Sequence, residues 1–208
     1  MPYHKRLSRA PERAAAGVLV KSACLLLAAG CSSAYYGALE KVGIEKRDIL
    51  VDRIDDASDA QEDAKEQFTS ALDQYRSVVT FEGGDLEQIY DRLNSEYERS
   101  EARAAEVSGR IKAVETVAED LFEEWEEEID NYSDAKLAAR SRQLLGETRT
   151  EYAAVISAMH RAERSMQPVL TLFNDQVMFL RHNLNARAIG SLETELGTIE
   201  AATAELIQ

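Results

Sequence analysis

Residues 86–125 read LEQIYDRLNSEYERSEARAAEVSGRIKAVETVAEDLFEEW. Their apolar positions advance in alternating steps of three and four: Leu86, Tyr90, Leu93, Tyr97, then Ala104, Val107, Ile111, Val114, Ala118, Leu121 and Trp125, with only Ser100 breaking the seam. A 3.5-residue repeat sustained this long belongs to helices packed lengthwise, not to strands. At 1.5 Å per residue the helix is on the order of 60 Å long. A second seam precedes it, running Leu50, Ile54, Ala57, Gln61, Ala64, Phe68, Ala71, Tyr75, Val78. Ala57, Ala64 and Ala71 recur every seventh residue there, which lets a partner helix come close.

Between the seams lies Phe81-Glu82-Gly83-Gly84-Asp85. Paired glycines supply backbone angles a helix interior disfavours, so the chain is expected to reverse there, with Asp85 as N-cap. A short link between long helices implies an antiparallel hairpin. A softer break follows at Asn131-Tyr132-Ser133-Asp134, where Ser133 is the expected N-cap. A third, more polar seam then runs Leu137, Ser141, Leu144, Thr148, Tyr152, Val155, Met159, Ala162, Met166. At Pro168 either the helix kinks or a fourth one starts, and the second option is slightly favoured because proline suits a first helical turn. The last stretch carries Leu172, Phe173, Val177, Leu180, Leu184, Ala188, Leu192, Leu196, Ile199 and Leu206, with Gly190 and Gly197 one heptad apart as a candidate close crossing. The expected fold is all-α: an elongated antiparallel helical bundle or coiled coil of three to four long helices over residues 38–208.

The chain has 208 residues, 24 basic against 38 acidic, and a net charge of -14. That balance disfavours contact with nucleic acid or an anionic membrane surface through charge. Few turn residues argue against an all-β fold. The charge is unevenly spread. Residues 1–30 hold five basic residues and one acid, followed by a short apolar stretch from Ala23 to Ala29, too short to span a membrane. This is the anatomy of a secretory signal.

Leu27-Ala28-Ala29-Gly30-Cys31 resembles a bacterial lipobox, although Ala28 stands where the strongest examples carry leucine, and Lys21 interrupts the apolar region. The resemblance implies that residues 1–30 are a lipoprotein signal peptide and that Cys31 becomes the acylated first residue. Residues 31–37 would then form a lipidated N-terminus and short tether. Ser32 after the cysteine, rather than aspartate, implies transport to the outer membrane, facing the periplasm. Acyl chains would hold the protein on the membrane despite its charge, each buried methylene contributing about 0.8 kcal/mol. Tyr35 and Tyr36 would sit either in the headgroup layer or on the end of the bundle.

Chemistry-bearing motifs are missing. Neither His160 nor His182 lies in a Glu-x-x-His pair, and there is no His-Glu-x-x-His, phosphate-cradling loop or G-x-S-x-G elbow. Met159 and Met166 read as core filler, with a haem-ligand role the remote alternative. No enzyme activity, metal or cofactor is expected. Two clusters remain as candidate binding surfaces. Glu123, Glu124 and Glu127 surround Trp125, among further acids from Glu119 to Glu128, and read as a solvated face or as a docking strip for a basic partner or divalent cations. A second acidic run, from Asp48 to Glu66, carries like charges at four-residue spacing. Arg181, His182, Asn183, Asn185 and Arg187 crowd polar groups into a helical stretch, which internal packing or a bound ligand would explain.

With these residues in view, the chain resembles an uncharacterised family of bacterial coiled-coil lipoproteins with a domain of unknown function. The likeness rests on Tyr35-Tyr36 with Glu40-Lys41-Val42-Gly43-Ile44, on Lys46 to Arg53, and on Gly83-Gly84-Asp85-Leu86-Glu87. Leu121-Phe122 with Glu124-Trp125, and His182 to Arg187, extend it over nearly the whole chain beyond the signal. The resemblance implies fold and localisation but carries no activity. The leading expectation is a non-enzymatic envelope lipoprotein, acting as a structural or adaptor module through an envelope protein partner or self-association. The alternatives are a helical-bundle binding protein holding a small ligand or metal near His182, and a regulator that activates a cell-wall enzyme by contact.

Overall fold

A computed structural model describes residues 45–80, 86–183 and 186–208, with the side chains of 186–189 excepted. Cys31, the 1–30 and 31–37 segments, Tyr35 and Tyr36, the Gly83-Gly84 reversal with its Asp85 cap, Leu184, Asn185, and the side chains of Arg187 and Ala188 lie outside the described residues. Arg47–Gln208 forms one compact unit. The described residues hold four helices and no strand: α1 (Lys46–Val79), α2 (Leu86–Asp130), α3 (Ala135–His182) and α4 (Ala186–Ile207). They are about 51, 68, 72 and 33 Å long. The fold is an all-α helical bundle.

Side-chain bridges fix the directions. Arg110 reaches Asp56 at 3.3 Å, Arg103 reaches Asp63 at 3.2 Å and Gln67 donates to Glu96 at 2.8 Å, so α2 runs antiparallel to α1. Trp125 donates to Ser141 and Phe122 meets Tyr152 edge-on at 5.4 Å, while His160 lies 2.8 Å from Glu115, so α3 runs antiparallel to α2. Gln61 donates to the Met159 carbonyl at 3.1 Å and Tyr75 packs edge-on against Phe173 at 5.8 Å. Both pairs are offset by 98 residues, so α1 and α3 run parallel in one register. Arg76 reaches Glu200 at 2.7 Å and Ile207 lies beside Glu62, Lys65 and Thr69, which makes α4 antiparallel to α1. The order is up-down-up-down, and α4 accompanies only the C-terminal half of α1.

The first seam behaves as its spacing predicts. Ala57, Ala64, Phe68, Ala71 and Tyr75 are fully buried, with Leu50 and Val78 close to it, while Ile54 and Gln61 are half-buried. The second seam buries Leu93, Ser100, Val107, Ile111, Val114 and Ala118, and adds Ile89, Glu96, Val117, Phe122 and Ile129. The additions arise because α2 packs on α1 with one flank and α3 with the other, which needs a wider stripe than a two-stranded seam.

Four expectations are corrected. Leu137, Leu144 and Val155 are exposed; α3 is turned so that Ala138 and Leu145 face α2 instead. The cap of α3 is Asp134, not Ser133, its carboxylate accepting from the Lys136 and Leu137 amides at 2.7 and 3.4 Å; a charged acceptor there also meets the helix dipole favourably. Pro168 lies inside α3 and starts no helix. Its ring is exposed, so the Arg164 carbonyl that loses its helical donor lies on the solvent side, where water can serve it. Gly190 and Gly197 are exposed, with nothing within 4 Å of a Cβ built at either, so they mark no close crossing.

Glycine costs about 1 kcal/mol relative to alanine inside a helix. Gly109 and Gly146 share the open surroundings of Gly197. Each of Gly109→Ala, Gly146→Ala and Gly197→Ala is therefore expected to stabilise the protein by about 0.5–1 kcal/mol in chemical denaturation. A loss of stability at any one would mean that its face is covered.

Candidate functional site

The acids around Trp125 occupy the last turns of α2, opposite the first turns of α3. Trp125 is half-buried and points into this seam, its indole N–H donating to Ser141 Oγ at 2.8 Å. Glu126 accepts from Arg149 at 2.6 Å, and this bond holds its carboxyl below the usual range. The Arg149 guanidinium also lies 5.3 Å from the centre of the Phe122 ring. Asp130 pairs with Arg142 at 3.1 Å. Glu124 is half-buried and engaged, whereas Glu123 and Glu127 are exposed. The structure thus places two of the four candidates outward and turns the tryptophan to a structural contact. The wheel spacing already separates Trp125 from Glu123 and Glu127, but only the position of α3 shows which side is inside.

The second candidate cluster is divided by the end of a helix. Arg181 and His182 are exposed on the last turn of α3. Asn183 is its C-cap, with its backbone N–H on the Leu180 carbonyl at 3.0 Å and its side-chain amide donating to the Phe179 carbonyl at 2.9 Å. The asparagine that looked costly within a helix closes one, and α4 begins only at Ala186. Asn185 and the Arg187 side chain lie outside the described residues.

The sequence shows His160 only as a lone histidine outside any Glu-x-x-His pair. Its Nε2 lies 2.8 Å from Glu115 of α2 and its Nδ1 2.9 Å from Glu163 of its own helix. Ser108 Oγ donates to the other Glu163 oxygen. The carboxylate contacts raise the His160 pKa above its ordinary value, while the Ser108 bond and then His160 lower that of Glu163. The local pair was legible as histidine and glutamate three apart on one helix; Glu115 was not, because its approach depends on the α2–α3 register. Just beyond, Tyr97, Glu101, Ala104, Met166 and Leu170 line an open groove of about 620 Å³ between the same two helices. Among the described residues no three metal-ligating side chains gather to hold an ion, and no helix is long and apolar enough to cross a membrane.

The histidine clasp titrates in a known direction. A folded-state pKa above the unfolded value of about 6.5 gives stability that is present below that value and lost as pH rises through the raised one. The Glu163 shift contributes above the ordinary carboxylate range and fades as pH falls through it. His160→Gln is therefore expected to lower Tm most near pH 5.5–6, by the equivalent of less than about 1 kcal/mol given the exposure of the pair, and least near pH 8.5. A Tm difference that is flat from pH 5.5 to 8.5 would show that the clasp does not couple the helices.

No curated protein and no solved structure matches the chain. A family model described as "Protein of unknown function (DUF2959)" matches residues 35–208. The match takes in the four described helices and the eleven residues before them, and the chain belongs to that family.

Proposed function

We propose that this chain is a non-enzymatic lipoprotein of the cell envelope, anchored through acyl chains on Cys31 and acting as a structural or adaptor module through its helical faces. The observation that carries the reading is the order of segments at the N-terminus. A basic stretch, a short apolar run and small residues lead to Cys31, and the family match begins four residues later, at Tyr35. The anchor would leave fourteen residues, 32–45, between the acylated cysteine and α1. Ser32 beside the cysteine supports an outer-membrane destination on the periplasmic side. Removing residues 1–30 takes away five basic residues and leaves 19 against 37 acidic ones, a charge suited to a soluble rod and not to direct contact with anionic lipid.

The adaptor role draws on the bundle itself. Its long surfaces carry charged residues in excess, and most polar groups at its seams bond to one another or to backbone, with Asp120 Oδ2 and Thr203 Oγ1 as exceptions. Those are the features of a scaffold that offers faces to other proteins. The wild-type chain is expected to incorporate an alkyne-tagged palmitate and to fractionate with outer membranes. Cys31→Ser should lose the label and leave the membrane fraction, while Ser32→Asp should keep the label and move to the inner membrane. Label retained in Cys31→Ser would overturn the anchoring.

A further inference from the structure

The carboxylates that bridge helices in this bundle have two kinds of partner. Asp56, Asp63, Glu126, Asp130 and Glu200 are each held by an arginine of another helix, and arginine keeps its charge at every working pH. Glu115 of α2 is held across the seam by His160 of α3 instead. Both imidazole nitrogens meet carboxylates, Nε2 at 2.8 Å from Glu115 and Nδ1 at 2.9 Å from Glu163. A neutral imidazole has one donor and one acceptor, so only the doubly protonated ring serves both. The side chain is 33% exposed, which lets its second proton pass to and from water. The 98-residue register sets this level of α3 beside Glu62 of α1, well within the described residues. The clasp also sits where the α2–α3 groove stops. Tyr97 and Asn174 line that groove lower down, its lining ends at Ser108 and Glu163, and His160 with Glu115 comes next along the seam.

We propose that His160 is a proton-operated gate at this end of the groove. Charged, it bridges Glu115 to Glu163 and closes the seam. Neutral, it leaves one carboxylate facing a ring lone pair. Glu163 lies on the same helix and is fixed by Ser108, so it keeps the remaining N–H and Glu115 is released. Lys112, exposed and three residues before Glu115, has the spacing to receive the freed carboxylate. The groove then extends along the half-buried Ile156 to the edge-on contact of Tyr152 with Phe122. Pro168 lies between the gate and Phe173, and the helical bond it removes lets α3 flex there. The surroundings fix the sign. From α2, Glu119 joins Glu115 and Lys112; from α3, Arg161 bonds to Ser157, Arg164 neighbours Glu163, and burial keeps the Tyr152 phenol protonated. From α1, Gln61 goes to the Met159 carbonyl, Glu62 lies 4.0 Å from Lys65, and arginines hold Asp56 and Asp63. The two carboxylates hold the ring pKa above its ordinary value, so the gate is shut below that raised value and opens as pH rises through it.

The gate stands apart from the adaptor reading and is tested without it. In the full-length chain labelled with 15N-histidine, His160→Gln assigns the ring signals, and both His160 nitrogens are expected at protonated positions at pH 6. Amide hydrogen exchange, corrected for its intrinsic pH dependence, should rise about fivefold or more between pH 6 and 8.5 over residues 112–119 and 152–160. Amides around Tyr75 and Phe173 should not change. In His160→Gln, whose side chain donates but does not titrate, the two stretches should exchange alike at both pH values. Glu115→Gln keeps the histidine and should move the ring titration and the exchange midpoint down together. A His160 ring already neutral at pH 6 would overturn the proposal, as would exchange that is flat with pH in the wild type. The same rise in His160→Gln would overturn it too, by assigning the opening to another titrating group.

Discussion

The bundle depends on the burial of Tyr75. Its ring is fully enclosed, its edge meets Phe173 of α3, and its hydroxyl donates to the Leu192 carbonyl of α4 at 3.0 Å. One side chain of α1 therefore fixes the register of two other helices. Burying the ring is worth about 1.5–3 kcal/mol and the hydrogen bond about 1 kcal/mol more. Burial, with Glu195 nearby, pushes the phenol pKa well up, so it remains a donor across physiological pH. Shifting α3 or α4 by one residue would put the hydroxyl against hydrocarbon, where an unmade bond costs more than a made one contributes.

From that point the bundle divides. Where α4 is present the core holds Phe68, Tyr75, Phe173, Leu180, Leu192 and Ile199. Where it is absent, α1 contributes Ala57 and Ala64 while α2 and α3 contribute Val107, Val114 and Met159. Polar groups set the register at the junction of the two sections, alongside the last turn of α4. Glu96 is 8% exposed, accepts from Gln67 and pairs with Arg99, while Ser100 bonds back to the Glu96 carbonyl. Such groups add little net stability, but a slip of either helix would leave them buried and unbonded.

Much of this was legible in the sequence, and the failures share a cause. The seams of α1 and α2 could be read because their helices are covered along much of their length, so an apolar residue at heptad spacing is nearly always a buried one. The third seam misled at Leu137, Leu144 and Val155 because spacing reports which residues share a face and not whether another helix covers it. Asn183 and Asp134 needed the helix ends, which a sequence places only to within a residue or two. The glycine pair at 190 and 197 had the right period for a crossing but the wrong side of the helix. Of the candidate site, the acids were visible; the inward turn of Trp125 and the Glu115–His160 contact depend on the α2–α3 register, which local sequence does not encode.

The distribution of apolar area also sets the two sections of the bundle apart in strength. A seam of alanines removes little surface from water, so each turn of the α1 half without α4 contributes less than a turn beside Tyr75. The bridges there, Asp56 to Arg110 and Asp63 to Arg103, are roughly 40–50% exposed and add only a few tenths of a kcal/mol each. The two sections thus differ in what holds them together. Beside α4 the seams are dry, with Met178 and Phe179 the large apolar side chains of α3 left exposed there. In the N-terminal half of α1 the alanine contacts and exposed bridges carry more of the load, so local opening there costs less than opening beside Tyr75.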